Sequence, residues 1–307
     1  MSLERIFAEI SDESKPLASR SLCDLSVLSA EELELFREAW ARIGIARQRQ
    51  IMDKLVALAE ENCRLDFDDI FRACLNDPDE IVRVKSSAGL WECEDRSLID
   101  PLITLFREDG KESVRGAAAT ALGRFAMLAE LGKLRHEDGE KVQEALLSAI
   151  NNPEEQLDVR RRAIEAISPL SLPKVKDIIH QAYRSDNAKM RASALYAMGR
   201  NCDPVWLPTL IKELASCDAE MRFEAAVACG ELGDDEAVPH LIRLISDSDS
   251  QVQISAIVAL GHIGGSEAGE ALRKCLEHPD EHIRDAAKES LGETEQSGEP
   301  FPFKFES

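Results

Sequence analysis

The chain has 307 residues, a formal net charge of −21 and 5% aromatic residues. Such an acidic balance argues against a nucleic-acid partner, because a phosphate backbone is held by a basic track. No apolar run approaches the roughly 18 residues needed to span a bilayer. The eight cysteines stand as scattered singles without a C-x-x-C pair. With Cys74, Cys229 and Cys275 at apolar helix positions, they point to buried, reduced thiols and a cytoplasmic location. The start MSLERIFAEISDESK turns polar within ten residues, so no secretory signal is expected.

In chain order, residues 1–28 mix Pro16 with several serines and are expected to form a partly ordered extension. Ser29 followed by Glu31 and Glu32 is a helix start, and Ile51, Leu55 and Leu58 share one face of a second helix. Together 29–65 read as a degenerate capping repeat. From 66 to 292 a short pattern recurs, beginning at Val82, Val114, Val159, Met190, Met221, Val252 and Ile283. Its basic anchors are Arg83, Arg115, Arg160, Arg191, Arg222 and Arg284, with Gln253 in the one exceptional copy. From Arg160 to Arg284 the anchors follow in four steps of 31 residues. A fixed period of this size denotes an array of small helical units. The step from Arg115 to Arg160 is longer, and Phe125, Leu128 and Leu131 continue one helix through 124–139, with a loop near Arg135 to Gly139. Residues 293–307 end in Phe301, Phe303 and Phe305 behind Pro300 and Pro302, which predicts an extended tail.

Within a copy, positions one before and three, six and seven after the anchor are small or apolar, as in Met221, Ala225, Ala228 and Cys229. That spacing makes one buried helix face. Gly123, Gly199, Gly230, Gly261 and Gly292, eight after the anchor, read as helix C-terminal signals. A second helix then begins, as at Asp234 or Pro204, where proline suits the first turn. The expected fold is all-α, an α-α superhelix of about eight two-helix repeats forming one structural unit.

The pattern D-x-x-V-R-x-x-A-A-x-A-L-G-x-x-G, followed by A-V-P-x-L-I-x-x-L, resembles HEAT repeats of the short bacterial type, often described through the phycobilin lyase group. The match runs from about Asp66 to Gly292. The resemblance implies a ladder in which an acidic residue before each anchor pairs with the arginines of neighbouring repeats. Asp79, Asp218, Asp249 and Asp280 hold that place here, Asn187 departs from it, and Gln253 breaks the basic side. Other relatives of this fold are enzymes. Deoxyhypusine hydroxylase carries repeated His-Glu pairs for a di-iron site, whereas this chain has only His136-Glu137, placed in the expected loop. The alkylpurine DNA glycosylases use a basic groove with tryptophans. Trp40, Trp91 and Trp206 could be compared with these, but the acidity opposes it, and Trp91 is expected to pack under the next turn.

No nucleotide-binding or nucleophile motif is present, and His278 and His282 flank a proline, so neither metal nor cofactor is expected. The best basic cluster, Arg160 to Arg162 with Lys174 and Lys176, reads as a solvated face. Positions one and five after the anchor point away from the buried face, onto the inner, concave surface. In the middle of the array they are apolar: Tyr196, Phe223, Val227, Ile254 and Val258, with Arg200, Glu231 and His262 on the rim. An apolar patch rimmed by charge marks a partner site. The expectation is a non-catalytic scaffold or adaptor that binds a protein partner as a monomer or weak homo-oligomer. The alternative is an accessory subunit or lyase of the phycobilin type, or another HEAT-based enzyme. The phenylalanine tail is a second candidate, as a peptide that docks in such a groove.

Overall fold

The computed structural model describes residues 3–296 of the backbone and the side chains of 5–292. Phe301, Phe303 and Phe305 lie outside the described residues. Two compact units divide the chain between Ile167 and Ser168, where the sequence reading expects one. In the first, helices α1 (Leu3–Ser11), α2 (Ser19–Cys23), α3 (Ala30–Trp40) and α4 (Ile45–Glu61) precede α5 (Asp68–Cys74) paired with α6 (Glu80–Gly89), α7 (Ile99–Glu108) with α8 (Glu112–Glu130), and α9 (His136–Ile150) with α10 (Leu157–Ile167). In the second, α11 (Pro173–Tyr183) pairs with α12 (Ala188–Asn201), α13 (Leu207–Glu213) with α14 (Ala219–Leu232), α15 (Val238–Leu244) with α16 (Ser250–Ile263), and α17 (Gly265–Cys275) with α18 (Glu281–Gln296). The described residues contain helices and turns but no strand.

The anchor of each copy lies in the second member of a pair, and within a unit these anchor helices pack on one another in sequence. Met221, Ala225, Ala228 and Cys229 are all buried, as the spacing requires. The residues before Ser29, expected to be only partly ordered, instead bury Ile6, Phe7, Ile10, Leu17, Leu22 and Leu25. Arg47, itself 4% exposed, holds them: its guanidinium donates to the carbonyls of Ile10, Asp12 and Lys15 and to Gln50. Lys54 donates to Leu17 O. Ser29 and Glu32 complete the reciprocal capping box at the start of α3.

The recurring glycines correct one expectation. Gly199, Gly230 and Gly261 lie inside α12, α14 and α16, which run on past them. Their φ angles are not positive, and their use is close approach. A Cβ on Gly199 would stand 2.7 Å from Ala228 Cα, and one on Gly230 2.9 Å from Ala259 Cα. Gly123 meets Ala166 in the same way in the first unit, at 3.2 Å. Helices in such contact sit at the near end of the usual ~8–10 Å interaxial range. The helix ends fall three residues after the glycines of α12, α14 and α16, at Cys202 (φ 52), Gly233 (φ 69) and Gly264 (φ 74). Cys202 therefore occupies a left-handed position where its relatives in the array have glycine. Cys202→Gly is expected to stabilise the second unit by about 0.5–1 kcal/mol, since the left-handed conformation costs an L-residue more than glycine loses in entropy. Urea denaturation reads this, and a loss of stability would contradict it.

The long helix through 124–130 is present as α8, and the following loop spans 131–135, with Gly132 at φ 67. His136-Glu137 opens α9 rather than lying in the loop. Glu137 and Asp138 fall in its first turn, where acidic side chains suit the helix N-terminus. α18 turns a polar side outward. At four after the anchor, where Leu195, Ala226 and Ile257 are fully buried, it carries Lys288, 64% exposed and paired with Asp285.

Candidate functional site

Arg49, Arg83, Arg115 and Arg222 each pair with a carboxylate of the following repeat, and most of these carboxylates sit elsewhere than expected. Asp218 and Asp249 cap α14 and α16 by accepting backbone N–H bonds, Asp280 does the same for His282, and Asn187 caps α12 through Met190. The pairing carboxylates come five or six residues before the next anchor. Arg83 grips Asp109 with two bonds of 2.8 and 3.1 Å, Arg222 grips Asp247 with two of 2.7 Å, and Arg115 reaches Glu155 at 2.8 Å. Asp79 alone does both jobs, capping α6 and receiving Arg49. Arg49 is thus an eighth anchor that the sequence reading missed, because α4 lacks the ring of small residues.

Five anchors also donate to a carbonyl six residues behind them, at Asp77, Asp109, Ser185, Ser216 and His278 for Arg83, Arg115, Arg191, Arg222 and Arg284. Gln253 preserves this loop bond to Asp247 O at 2.8 Å. Only the charge pair to the following repeat is lost, and the matching position there is His278 instead of an acid. The substitution is therefore locally consistent. Arg160 departs in another way, with its Nε buried and without a hydrogen-bond partner among the described residues.

Hydrogen bonds from Arg222 hold the Asp247 carboxyl below the usual aspartate range, against the opposing effect of burial. Arg49 does the same for Asp79. Because the folded pKa is the lower one, this stabilisation is complete above about pH 4 and vanishes as pH falls through the folded value. The urea midpoint should drop below about pH 4, and Asp247→Asn should flatten that slope. An identical slope in wild type and variant would contradict it. At neutral pH, Arg222→Ala should cost about 2 kcal/mol by stranding Asp247.

The residues one, five and nine after the anchor form a ridge on α12, α14 and α16. Tyr196 is 39% and Val258 37% exposed, while Phe223, Val227 and Ile254 are half-buried. The close glycine contacts bring these three helices side by side, so the five side chains lie within about 20 Å of one another across the stack. On the rim Arg200 and Glu231 pair at 3.3 Å, and His262 is exposed. Asp285 and Glu289 extend the ridge onto α18 as exposed acids.

Other sequence candidates separate from this ridge. Trp40 and Trp206 are buried, donating to Asp77 at 2.8 Å and to Asn201 at 2.9 Å. Trp91 is 48% exposed instead of packed, because α6 ends at Gly89, beside Phe71, and releases it. Arg161 and Arg162 are bound to Asp158 and Glu165 on their own helix, and Lys176 to Asp203. Burial pushes the thiols of Cys74 and Cys229 up to about 12, so both are protonated and poor nucleophiles at neutral pH. Among the described residues no group of three His, Cys, Asp or Glu side chains is placed to hold a metal ion, and no helix is long and apolar enough to cross a membrane.

The profile of HEAT repeats matches residues 69–151 and 207–292, more than half of the chain. The chain belongs to the HEAT-repeat family. Among solved structures it is similar to YibA of Escherichia coli, at 19% identity and a TM-score of 0.44, over 77% of this chain and 96% of that one. It is also similar to human deoxyhypusine hydroxylase in complex with glycerol, at 16% identity and a TM-score of 0.38, over 96% of both chains. An engineered protein matches at 18% identity and a TM-score of 0.39, over 95% of this chain and 88% of that one. No curated protein matches the sequence.

Proposed function

We propose that this HEAT-repeat protein is a non-catalytic interaction scaffold whose ridge on α12, α14 and α16 receives an amphipathic helix or extended peptide. The observation that carries this reading is the incomplete burial of Tyr196, Phe223, Val227, Ile254 and Val258 on three adjacent helices. The packing positions of the same helices are fully buried. Bulky apolar groups held side by side at a surface lower solubility unless a partner covers them. Glu220, Glu231, Asp285 and Glu289 are exposed around the ridge, and the whole chain carries −21. The fitting partner therefore places apolar side chains at helical spacing between basic residues, and its association slows as salt is raised.

The test is selection of binding peptides from a displayed amphipathic library, followed by calorimetric titration of wild type and the Phe223→Asp/Val258→Asp variant. The selected peptides should lose at least about ten-fold in affinity on the variant, equal to ~1.4 kcal/mol. Unchanged melting of the variant shows that the loss is local. Equal affinity for both proteins would remove the ridge as the site.

A further inference from the structure

The second unit contains a groove that the ridge does not use. Between α15 and α17 a cavity of about 460 Å³ opens to the surface, with an apolar bed of Ile242, Ile245, Ala271 and Cys275 and a polar edge of Ser246, Glu267, Glu270, Lys274 and His278. Ala271 and Cys275 are buried, the two isoleucines half-buried and the two glutamates exposed; Lys274 pairs with Glu270 at 2.9 Å, so the apolar bed has a mixed-charge edge on which Glu267 is the carboxylate left to meet a cation. Its volume is several times that of the ~150 Å³ apolar cavity able to accept benzene. An occupant with more than one aromatic ring and a positive charge fits this chemistry.

The chain itself carries such a segment in Pro300-Phe301-Pro302-Phe303-Lys304-Phe305. The prolines fix their own φ and bias the residues before them toward extended backbone. In an extended segment alternate residues would share a side, so the three phenyl rings would point into one groove while the long stem of Lys304 would reach back to its rim. The path is also short. α17 and α18 pack together across the brief turn at 276–280, so they run antiparallel and Gln296 stands at the end of α17 that carries Glu267. α17 is about 16 Å long, while the residues after Gln296 can span up to about 36 Å.

We propose that the 300–305 segment docks its phenyl rings in the α15–α17 groove of its own chain, leaving Lys304 at the mouth beside Glu267. The docked segment would close the apolar bed and protect both helices. This proposal is independent of the ridge.

Hydrogen exchange on the full-length protein tests it, comparing wild type with the Phe301→Ala/Phe303→Ala/Phe305→Ala variant. Amides of α15 and α17 should exchange at least about five-fold faster in the variant, with α12 and α14 unchanged. The difference should be the same at low and high protein concentration. Lys304→Glu should give part of this loss, and Glu267→Lys added to it should restore protection. Equal exchange in α15 and α17 of wild type and triple variant would overturn the proposal. Protection that grows with concentration would also overturn it, by assigning the rings to the groove of a second copy.

Discussion

Arg47→Ala should release the N-terminal segment while leaving the second unit intact. The Arg47 guanidinium is buried and satisfies three main-chain carbonyls that follow or end α1, with Ile10 O at 2.6 Å and Asp12 O and Lys15 O at 3.1 Å each. Its positive charge sits where the helix dipole leaves partial negative charge. Truncation removes these charge-assisted bonds and strands the carbonyls beneath Ile6, Ile10 and Leu17. Water can reach some of them, so the net cost is about 3 kcal/mol rather than the full sum of the bonds. In a repeat array such a loss stays near its origin. Limited proteolysis within residues 12–20 should accelerate by about two orders of magnitude, with α11 to α18 melting as before. Arg47→Lys should fall between, since one ammonium cannot reach all four acceptors. Unchanged cleavage in Arg47→Ala would mean that apolar burial alone holds the segment.

Gly199→Val should cost the second unit about 3 kcal/mol and lower its melting temperature by roughly 6–12 °C. A Cβ there meets Ala228 Cα at 2.7 Å and Ala228 Cβ at 3.0 Å. These atoms belong to backbone and to its first side-chain carbon, so no rotamer change relieves the overlap. α12 and α14 must move apart, and the ridge that they carry moves with them. Gly116→Ala is the informative contrast. It is also helical and buried, but its Cβ would meet only Arg162 Cγ, at 3.7 Å. There the better helix propensity of alanine should prevail, a gain of about 0.5–1 kcal/mol. Equal effects at the two positions would contradict the close-approach role of Gly199.

The period and the buried face were legible because both are local. A 31-residue step needs no knowledge of neighbours, and the burial of Met221, Ala225 and Cys229 follows from helical spacing alone. The glycine roles were not legible in the same way. Gly230 and Gly233 lie three apart, and only the neighbouring helix shows that the first allows contact and the second ends the helix. The ladder was misplaced by two residues for a related reason. An aspartate just ahead of a helix has a local use as its cap, and this removes Asp218 and Asp249 from the pairing role. Asp109 and Asp247 appear unremarkable until the preceding repeat is folded against them. Before Ser29, Ile6, Phe7 and Ile10 carried a helical signal that Pro16 and the serines obscured. The ridge columns followed from spacing, whereas the α15–α17 groove depends on two helices separated in sequence and had no local signature.

The most direct test of the scaffold account is hydroxyl-radical footprinting of the protein with and without a selected basic amphipathic peptide. Tyr196, Phe223, Val227, Ile254 and Val258 should become several-fold less reactive together, while the exposed Trp91 keeps its reactivity. Protection at Trp91 with the five ridge residues unchanged would contradict the account and place the partner on a different face.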